Sequence, residues 1–405
     1  MLSSRTRGRS HAIAMWLPGL WVSRASEEPC RQALIYLRWI RWIMTEALPG
    51  RDHVFVNMDE TLVSKIAAQS SGFVPSRQVQ KERHMVRKKL GPDRHDVRTS
   101  LLGTVCNDPA LQPFLPQVFL PCYSKHVVPP MEVLGEYRRS RGPLEYWHNT
   151  NGWSSGRLIQ RWLTRLRSII SSVRPGAWII VVLDCATSHL HAEVLRHARR
   201  MSLLMLIIPA GLTFIFQVLD AYIYADLKRS IRRGLIRHTS ASPGGVVQRL
   251  ARIRCTAAAV HETLVQVDCS EYFRRVGLAE DFNALSEDAS KIVGQQIIAP
   301  ALPLRAEFAT MIARPPHTDV TRLLHQHVLS GWLHLRTLPL GAGAPPGAHV
   351  HLPVRDPARR RGRDLPQDRP VLWDDVRMAR FRRLHRDSAM AVPEAEEAVN
   401  VFLDV

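Results

Sequence analysis

Unbroken apolar runs and helically spaced apolar stripes alternate along this chain. Trp178 to Leu183 (WIIVVL) has no polar position and is rich in Ile and Val, the pattern of a strand covered on both faces. The run stops at Asp184. A second run, Leu203 to Ile208, is closed by Pro209, after which the chain passes through Thr213 and Gln217 to Asp220. Between the two runs, Leu190, Val194, Ala198 and Met201 recur at helical spacing, while His191, Arg196 and Arg199 fall on the opposite side. The spacing predicts a helix starting near the capping residues Thr187 and Ser188. Upstream, His53 to Met58 (HVFVNM) reads as a short strand that ends on Asp59, with Glu60 and Thr61 after it. Thr99 to Cys106 (TSLLGTVC) and Gln117 to Leu120 are further strands.

The clearest helix is Ser154 to Ser172. Leu158, Ile159, Trp162, Leu163, Leu166, Ile169 and Ile170 share one face, and Arg157, Arg161, Arg165 and Arg167 lie mostly elsewhere. Asn149 to Ser155 supplies a turn and a cap, and Trp153 in it reads as a packing residue. After Asp220 an apolar stripe of Ile223, Leu227 and Ile231 is backed by the cations Lys228, Arg229, Arg232, Arg233 and Arg237. Pro29 to Leu48 reads as a helix, and so do Val246 to Val267 and Ala284 to Ile298. From Leu338 to Pro370 the composition turns to Gly, Pro and Arg, which cannot bury a core and predicts disorder. Breaks in pattern divide the chain into 1–50, 51–241, 242–337 and 338–405.

Composition narrows the class. With 405 residues, 45% of them hydrophobic, the chain can bury a sizeable core. The formal charge of +19 favours a polyanionic partner, nucleic acid ahead of a membrane surface. No stretch is apolar enough to span a bilayer, since Arg31, Arg38 and Arg41 interrupt the best early helix, so a soluble protein is expected. The six cysteines show no close pairing, which indicates neither zinc nor disulfides and makes a reducing compartment the default. His325, His327 and His334 have no acid or cysteine among them to complete a zinc site. Residues 1–28, with Arg5, Arg7 and Arg9 and then AIAMWLPGLWV, have the layout of a targeting peptide, a basic leader or a remnant of an upstream domain.

The candidate chemistry lies in the acids. Asp59 and Asp184 follow strands and Asp220 stands where a helix begins, and open α/β sheets place ligands at such strand ends. Each Asp can also be read as a turn residue or cap, and Asp226 is an alternative to Asp220. Three carboxylates meeting at one point repel, by roughly 4 kcal/mol per pair at about 4 Å and an effective dielectric of about 20. Cations are needed to hold them. Oxygen-only ligands favour magnesium or manganese, and two such ions form the usual clamp for displacement at phosphorus. The segment Arg77 to Arg98 is a candidate phosphate-binding loop, with Lys81, Arg83, Arg87, Lys88 and Lys89 as backbone contacts, or else a solvated excursion.

Three blocks carry a resemblance: VNMDET (Val56 to Thr61), VLDCATSH (Val182 to His189) and PAGLTFIFQVLD (Pro209 to Asp220). Together they resemble the signature blocks of the DDE-superfamily endonucleases, the Tc1/mariner and pogo-type transposases and their centromere protein B-like and jerky-like relatives. Asp220 follows Asp184 by 36 positions, a spacing typical of that family. Val218 stands where the family usually has proline, and Cys185 where it has a small amide; neither change removes a ligand.

The resemblance implies an α/β fold, an RNase H-like mixed sheet flanked by helices, with residues 51–241 as the catalytic core. A helical extension and a disordered tail complete the expected architecture. It implies that Asp59, Asp184 and Asp220 bind two Mg2+ or Mn2+ ions, and that water and then a DNA 3′-hydroxyl attack phosphodiesters. His189 matches a family position and is a candidate for contact with substrate, as are Lys228, Arg229 and Arg232. DNA is the implied partner, a homodimer the assembly considered and the nucleus the location. The competing readings are a catalytically inactive DNA-binding or chromatin protein and a truncated transposon remnant.

Overall fold

The computed structural model describes residues 27–63, 99–121, 131–139, 144–147, 153–239, 245–279, 282–294, 298–339 and 342–345. Among them, β1 (His53–Leu62), β2 (Thr99–Cys106), β3 (Val118–Pro121), β4 (Glu145–Tyr146), β5 (Trp178–Leu183) and β6 (Leu203–Ile207) form one mixed sheet. Its spatial order is β4-β3-β2-β1-β5-β6. The first three strands run as an antiparallel meander, whereas β5 and β6 run parallel to β1. This is the mixed α/β sheet of an RNase H-like domain. The all-apolar sequences of β5 and β6 follow from their place, since every residue in both is buried.

The helices are α1 (Glu27–Trp42), α2 (Met131–Arg139), α3 (Gly156–Val173), α4 (Ala192–Arg200), α5 (Thr213–Phe216), α6 (Tyr224–Thr239), α7 (Gly245–Val260), α8 (Ser270–Arg275), α9 (Glu287–Val293), α10 (Arg305–Met311) and α11 (Asp319–Thr337). The α3 stripe predicted from periodicity is buried, apart from Ile169, and Trp162 donates from Nε1 to Thr104 Oγ1 on β2 at 3.1 Å. Ser155 caps that helix through the N–H of Leu158. On the β6 side, α11 covers the sheet, and buried Trp332 donates from Nε1 to the carbonyl of Met205 at 2.8 Å. Arg51, just before β1, gathers the carbonyls of Ala47, Leu335, Leu338 and Pro339, joining the end of the first helix to the end of α11. Among the described residues no helix is long and apolar enough to cross a membrane.

Several expectations need correction. Strand β1 runs on to Leu62, because β2 stays paired with it through that residue, so Asp59 lies inside the strand. Helix α4 starts at Ala192, with His191 as its cap, because Ala186 to Leu190 are taken up in a turn closed by the N–H groups of His189 and Leu190 on the Ala186 carbonyl. The helix expected over Ala284 to Ile298 is limited to Glu287–Val293, ended by Gly294 at φ 56°. Arg167, placed mostly off the apolar face by the spacing, is buried and donates to the Pro345 carbonyl at 2.7 Å. Trp153, read as a packing residue, is 39% exposed. In the Gly/Pro/Arg-rich segment, residues 342–345 are pinned, with Ala344 N–H on the Gly176 carbonyl and Ala342 O accepting from Trp178 Nε1. Most of that segment, and residues 1–26, lie outside the described residues.

Candidate active site

Parallel pairing of β1 with β5 puts Asn57 opposite Val182. Asp59 lies two residues past that last pair on β1, and Asp184, directly after the end of β5, lies two residues past it on the other side. Here β1 leaves β5 while continuing along β2, so the opening between the parting strands lies beside both acids. Asp59 is 9% exposed. Asp184, with a quarter of its side chain exposed, accepts the N–H of Ala186 at 3.0 Å and lies 2.5 Å from Nδ1 of buried His189, both on Oδ1.

The third acid comes from across the sheet face. After β6 the chain passes through α5 into a π-helical turn, Leu219–Ile223, that leads into α6 and carries Asp220. Such turns recur at functional sites because the extra residue displaces one side chain from the helical stripe. Asp220 is exposed as a residue, and its carboxyl lies close enough to Asp59 and Asp184 for their charges to act on one another. Asp226, the alternative ligand, is exposed and paired with Arg229 at 2.6 Å. The three sequence-selected aspartates therefore share one electrostatic neighbourhood, and Asp226 stands apart from it.

Electrostatics make that neighbourhood unequal. Burial first, then the charges of Asp220 and Asp184, hold the Asp59 carboxyl well above the usual carboxylate range. Desolvation also raises Asp220, with Asp184 adding to it and Lys228, Thr213 and Asp59 opposing. Asp184 goes the other way: burial works to raise it, but His189 and the Ala186 N–H outweigh burial and lower it. A divalent cation among these acids would balance the charges that raise Asp59 and Asp220.

Donor chemistry fits such an ion. The three groups are hard carboxylate oxygens, the ligand type of magnesium and manganese. Among the described residues no three His, Cys, Asp or Glu side chains are already gathered into a single ligand cluster. A pair of ions needs no such cluster, because each takes only part of its shell from protein and the rest from water and phosphate.

Three further residues build the site, and periodicity alone did not single them out for it. Asn57, fully buried and on the same face of β1 as Asp59, donates to the Val182 carbonyl and accepts the Leu219 N–H, both at 3.0 Å. Tyr224 donates from Oη to the Asp59 carbonyl at 2.5 Å and accepts the Gly103 N–H at 3.3 Å. Gln217, also fully buried, donates from Nε2 to the Met58 carbonyl at 3.5 Å, next to Asp59, while its Oε1 is left without a partner. The signal that could have revealed Asn57 is its i−2 relation to Asp59, which puts both on one face of a strand.

Of the candidate DNA contacts, Lys228 lies near Asp220 and 5.5 Å from the Tyr224 ring. Arg229 is exposed, and Arg232 is half-buried with its Nε unpaired. Lys81, Arg83, Arg87, Lys88 and Lys89 lie outside the described residues.

Comparison with known proteins agrees with the reading of two of the three blocks, those around Asp184 and Asp220. Residues 122–261 match the family model described as DDE superfamily endonuclease. The match includes Asp184, His189 and Asp220 and begins after β1, so Asp59 lies outside it. Neither the search of curated proteins nor that of solved structures returned a match.

Proposed function

We propose, proceeding from a chain whose residues 122–261 are those of a DDE superfamily endonuclease, that this protein binds DNA and cleaves its phosphodiesters at Asp59, Asp184 and Asp220. One observation carries the reading. Asp59 lies two residues beyond the last β1–β5 pair and Asp184 directly follows β5, and the charges of Asp220 and Asp184 both act on the Asp59 carboxyl. Two divalent cations bound there would activate the attacking oxygen and stabilise charge on the leaving one.

The chain's own residues do the rest. His189 fixes Asp184 through Oδ1, which leaves Oδ2 for a cation. Both Asp59 and Asp220 are raised above the usual carboxylate range, so a cation entering among them competes with protons for the same groups. Lys228 is a cation beside the acids, suited to a phosphate of the scissile strand. Water attack on phosphorus breaks the P–O3′ bond and leaves a free 3′-hydroxyl and a 5′-phosphate. That 3′-hydroxyl is the nucleophile for strand transfer, the second step the family resemblance implies. Transfer to a second DNA, nuclear location and a homodimer belong to this proposal and rest on the family alone.

Purified protein incubated with supercoiled plasmid and Mn2+ tests the reading. Wild type is expected to nick the plasmid and Asp184→Asn to leave it intact; equal nicking by both refutes the role of Asp184. DNA binding without nicking by wild type would favour the inactive DNA-binding reading.

A further inference from the structure

Gly103 stands opposite Asp59 in the β1–β2 ladder. Facing residues of an antiparallel pair send their side chains to the same side of the sheet, so position 103 borders the Asp59 carboxyl. A side chain there would have to displace Tyr224. A Cβ built on Gly103 would lie 2.9 Å from Tyr224 Oη and 3.1 Å from its Cε1. The phenol of α6 fills the space of the missing neighbour, and its hydroxyl touches both ends of the Asp59–Gly103 rung. Glycine weakens a strand interior, and within strands it marks places where another group approaches closely. Here the approaching group is Tyr224.

The consequence reaches Asp220. Its element is tethered to β1 on both sides: Leu219, one residue before, gives its N–H to Asn57, and Tyr224, four residues after, gives its hydroxyl to the carbonyl of Asp59 itself. Packing alone does not require the second tether, because phenylalanine would fill the same volume. Resting on the endonuclease reading above, we propose that Tyr224 and Gly103 form a positioning pair that fixes the separation of Asp59 and Asp220 to suit a divalent cation. Neither residue touches the ion; both act through the backbone of Asp59 and the head of α6.

Full-length wild type, Tyr224→Phe, Gly103→Ala and the double variant are compared by two measurements. One is Mn2+ affinity, read from the electron paramagnetic resonance signal of free Mn2+ in titrations of folded protein. The other is the melting temperature without metal. Tyr224→Phe is expected to weaken Mn2+ binding on the order of tenfold, the low end of the effect of removing groups that orient metal ligands. Gly103→Ala should weaken it as well, because the new methyl displaces the hydroxyl. In the double variant the two losses should fall short of multiplying, since one oxygen mediates both.

Tyr224→Phe removes a single oxygen, so that comparison holds even where Gly103→Ala does not fold. Unchanged Mn2+ affinity in Tyr224→Phe, with only a lower melting temperature, overturns the positioning role and leaves the endonuclease reading intact. A wild type that neither binds Mn2+ nor nicks plasmid overturns the reading, and the positioning role with it.

Discussion

The side chain of Asn57 and the backbone of Leu219, 162 residues apart, are joined by a 3.0 Å hydrogen bond inside the core. The same amide donates to the Val182 carbonyl two residues before Asp184, so one buried side chain holds the strands of Asp59 and Asp184 and the turn of Asp220. Replacing it with alanine leaves a buried N–H and a buried C=O unpaired, each costing about 1 to 3 kcal/mol. Asn57→Ala is therefore expected to lose about 2 to 4 kcal/mol in urea denaturation. Asn57→Asp should be worse, because it sets an oxygen against the Val182 carbonyl and adds a charge beside three acids. A loss under 0.5 kcal/mol for Asn57→Ala would show that the clamp contributes little.

Asp59 is destabilising in the metal-free protein. Its folded pKa lies above the unfolded value, so its contribution to stability is fully present below the unfolded pKa and is lost as pH rises through the folded pKa. Without metal, stability should therefore decline from mildly acidic toward neutral pH. Asp59→Asn removes the titration, so it should flatten that decline and melt higher than wild type at neutral pH while abolishing nicking. Added Mn2+ should stabilise wild type and leave Asp59→Asn nearly unchanged. Melting curves at several pH values, with and without Mn2+, test all three expectations, and a less stable Asp59→Asn at neutral pH would contradict the electrostatic account.

His197 sets a separate acid limit. Buried between α3 and α4, 2.8 Å from Thr164 Oγ1, its imidazole is pushed below its usual pKa by desolvation first and then by Arg200. The unfolded chain takes up this proton more readily than the folded one, so the contribution is lost as pH falls below about 6.5, the unperturbed value. His197→Gln should weaken the protein at neutral pH yet show less further loss between pH 7 and 5. An acid transition of the same steepness in both proteins would assign it to other groups.

Much of this was legible because strands covered on both faces have no choice of pattern. The strand cores at Trp178 to Leu183 and Leu203 to Ile207 follow directly from unbroken apolar runs, and the acids are conspicuous as the charges that end them. The endonuclease reading came from three blocks, and the two around Asp184 and Asp220 fall within the family match. What stayed hidden depends on the third dimension. Nothing local distinguishes Asn57 from a polar interruption, or Gly103 from a weak strand position; their roles appear only when Leu219 and Tyr224 arrive from beyond β6. The start of α4 was misplaced for a similar reason, since Thr187 and Ser188 are good caps in isolation but His189 is drawn back to Asp184.

The C-terminal helices offer a test of how far the folding unit extends. Strand β6 ends the sheet order, and Trp332 of α11 is fully buried with its indole N–H on the Met205 carbonyl. Gly331, next to it, lets the helix approach closely, since a Cβ there would come within 3.2 Å of Leu204 Cδ2. Arg51 then ties the end of this helix and the two residues after it to the entrance of β1, through the carbonyls of Leu335, Leu338 and Pro339. Trp332→Ala should cost about 3 to 5 kcal/mol by cavity formation, whereas Trp332→Phe keeps most of the packing and should cost about 1 to 3 kcal/mol for the unpaired carbonyl. A chain truncated at residue 303 uncovers β6 and leaves Arg51 a buried cation without those carbonyls, so it is expected to aggregate on expression. Recovery of that truncated chain as a soluble, cooperatively melting protein would show instead that residues 27–303 fold without α10 and α11.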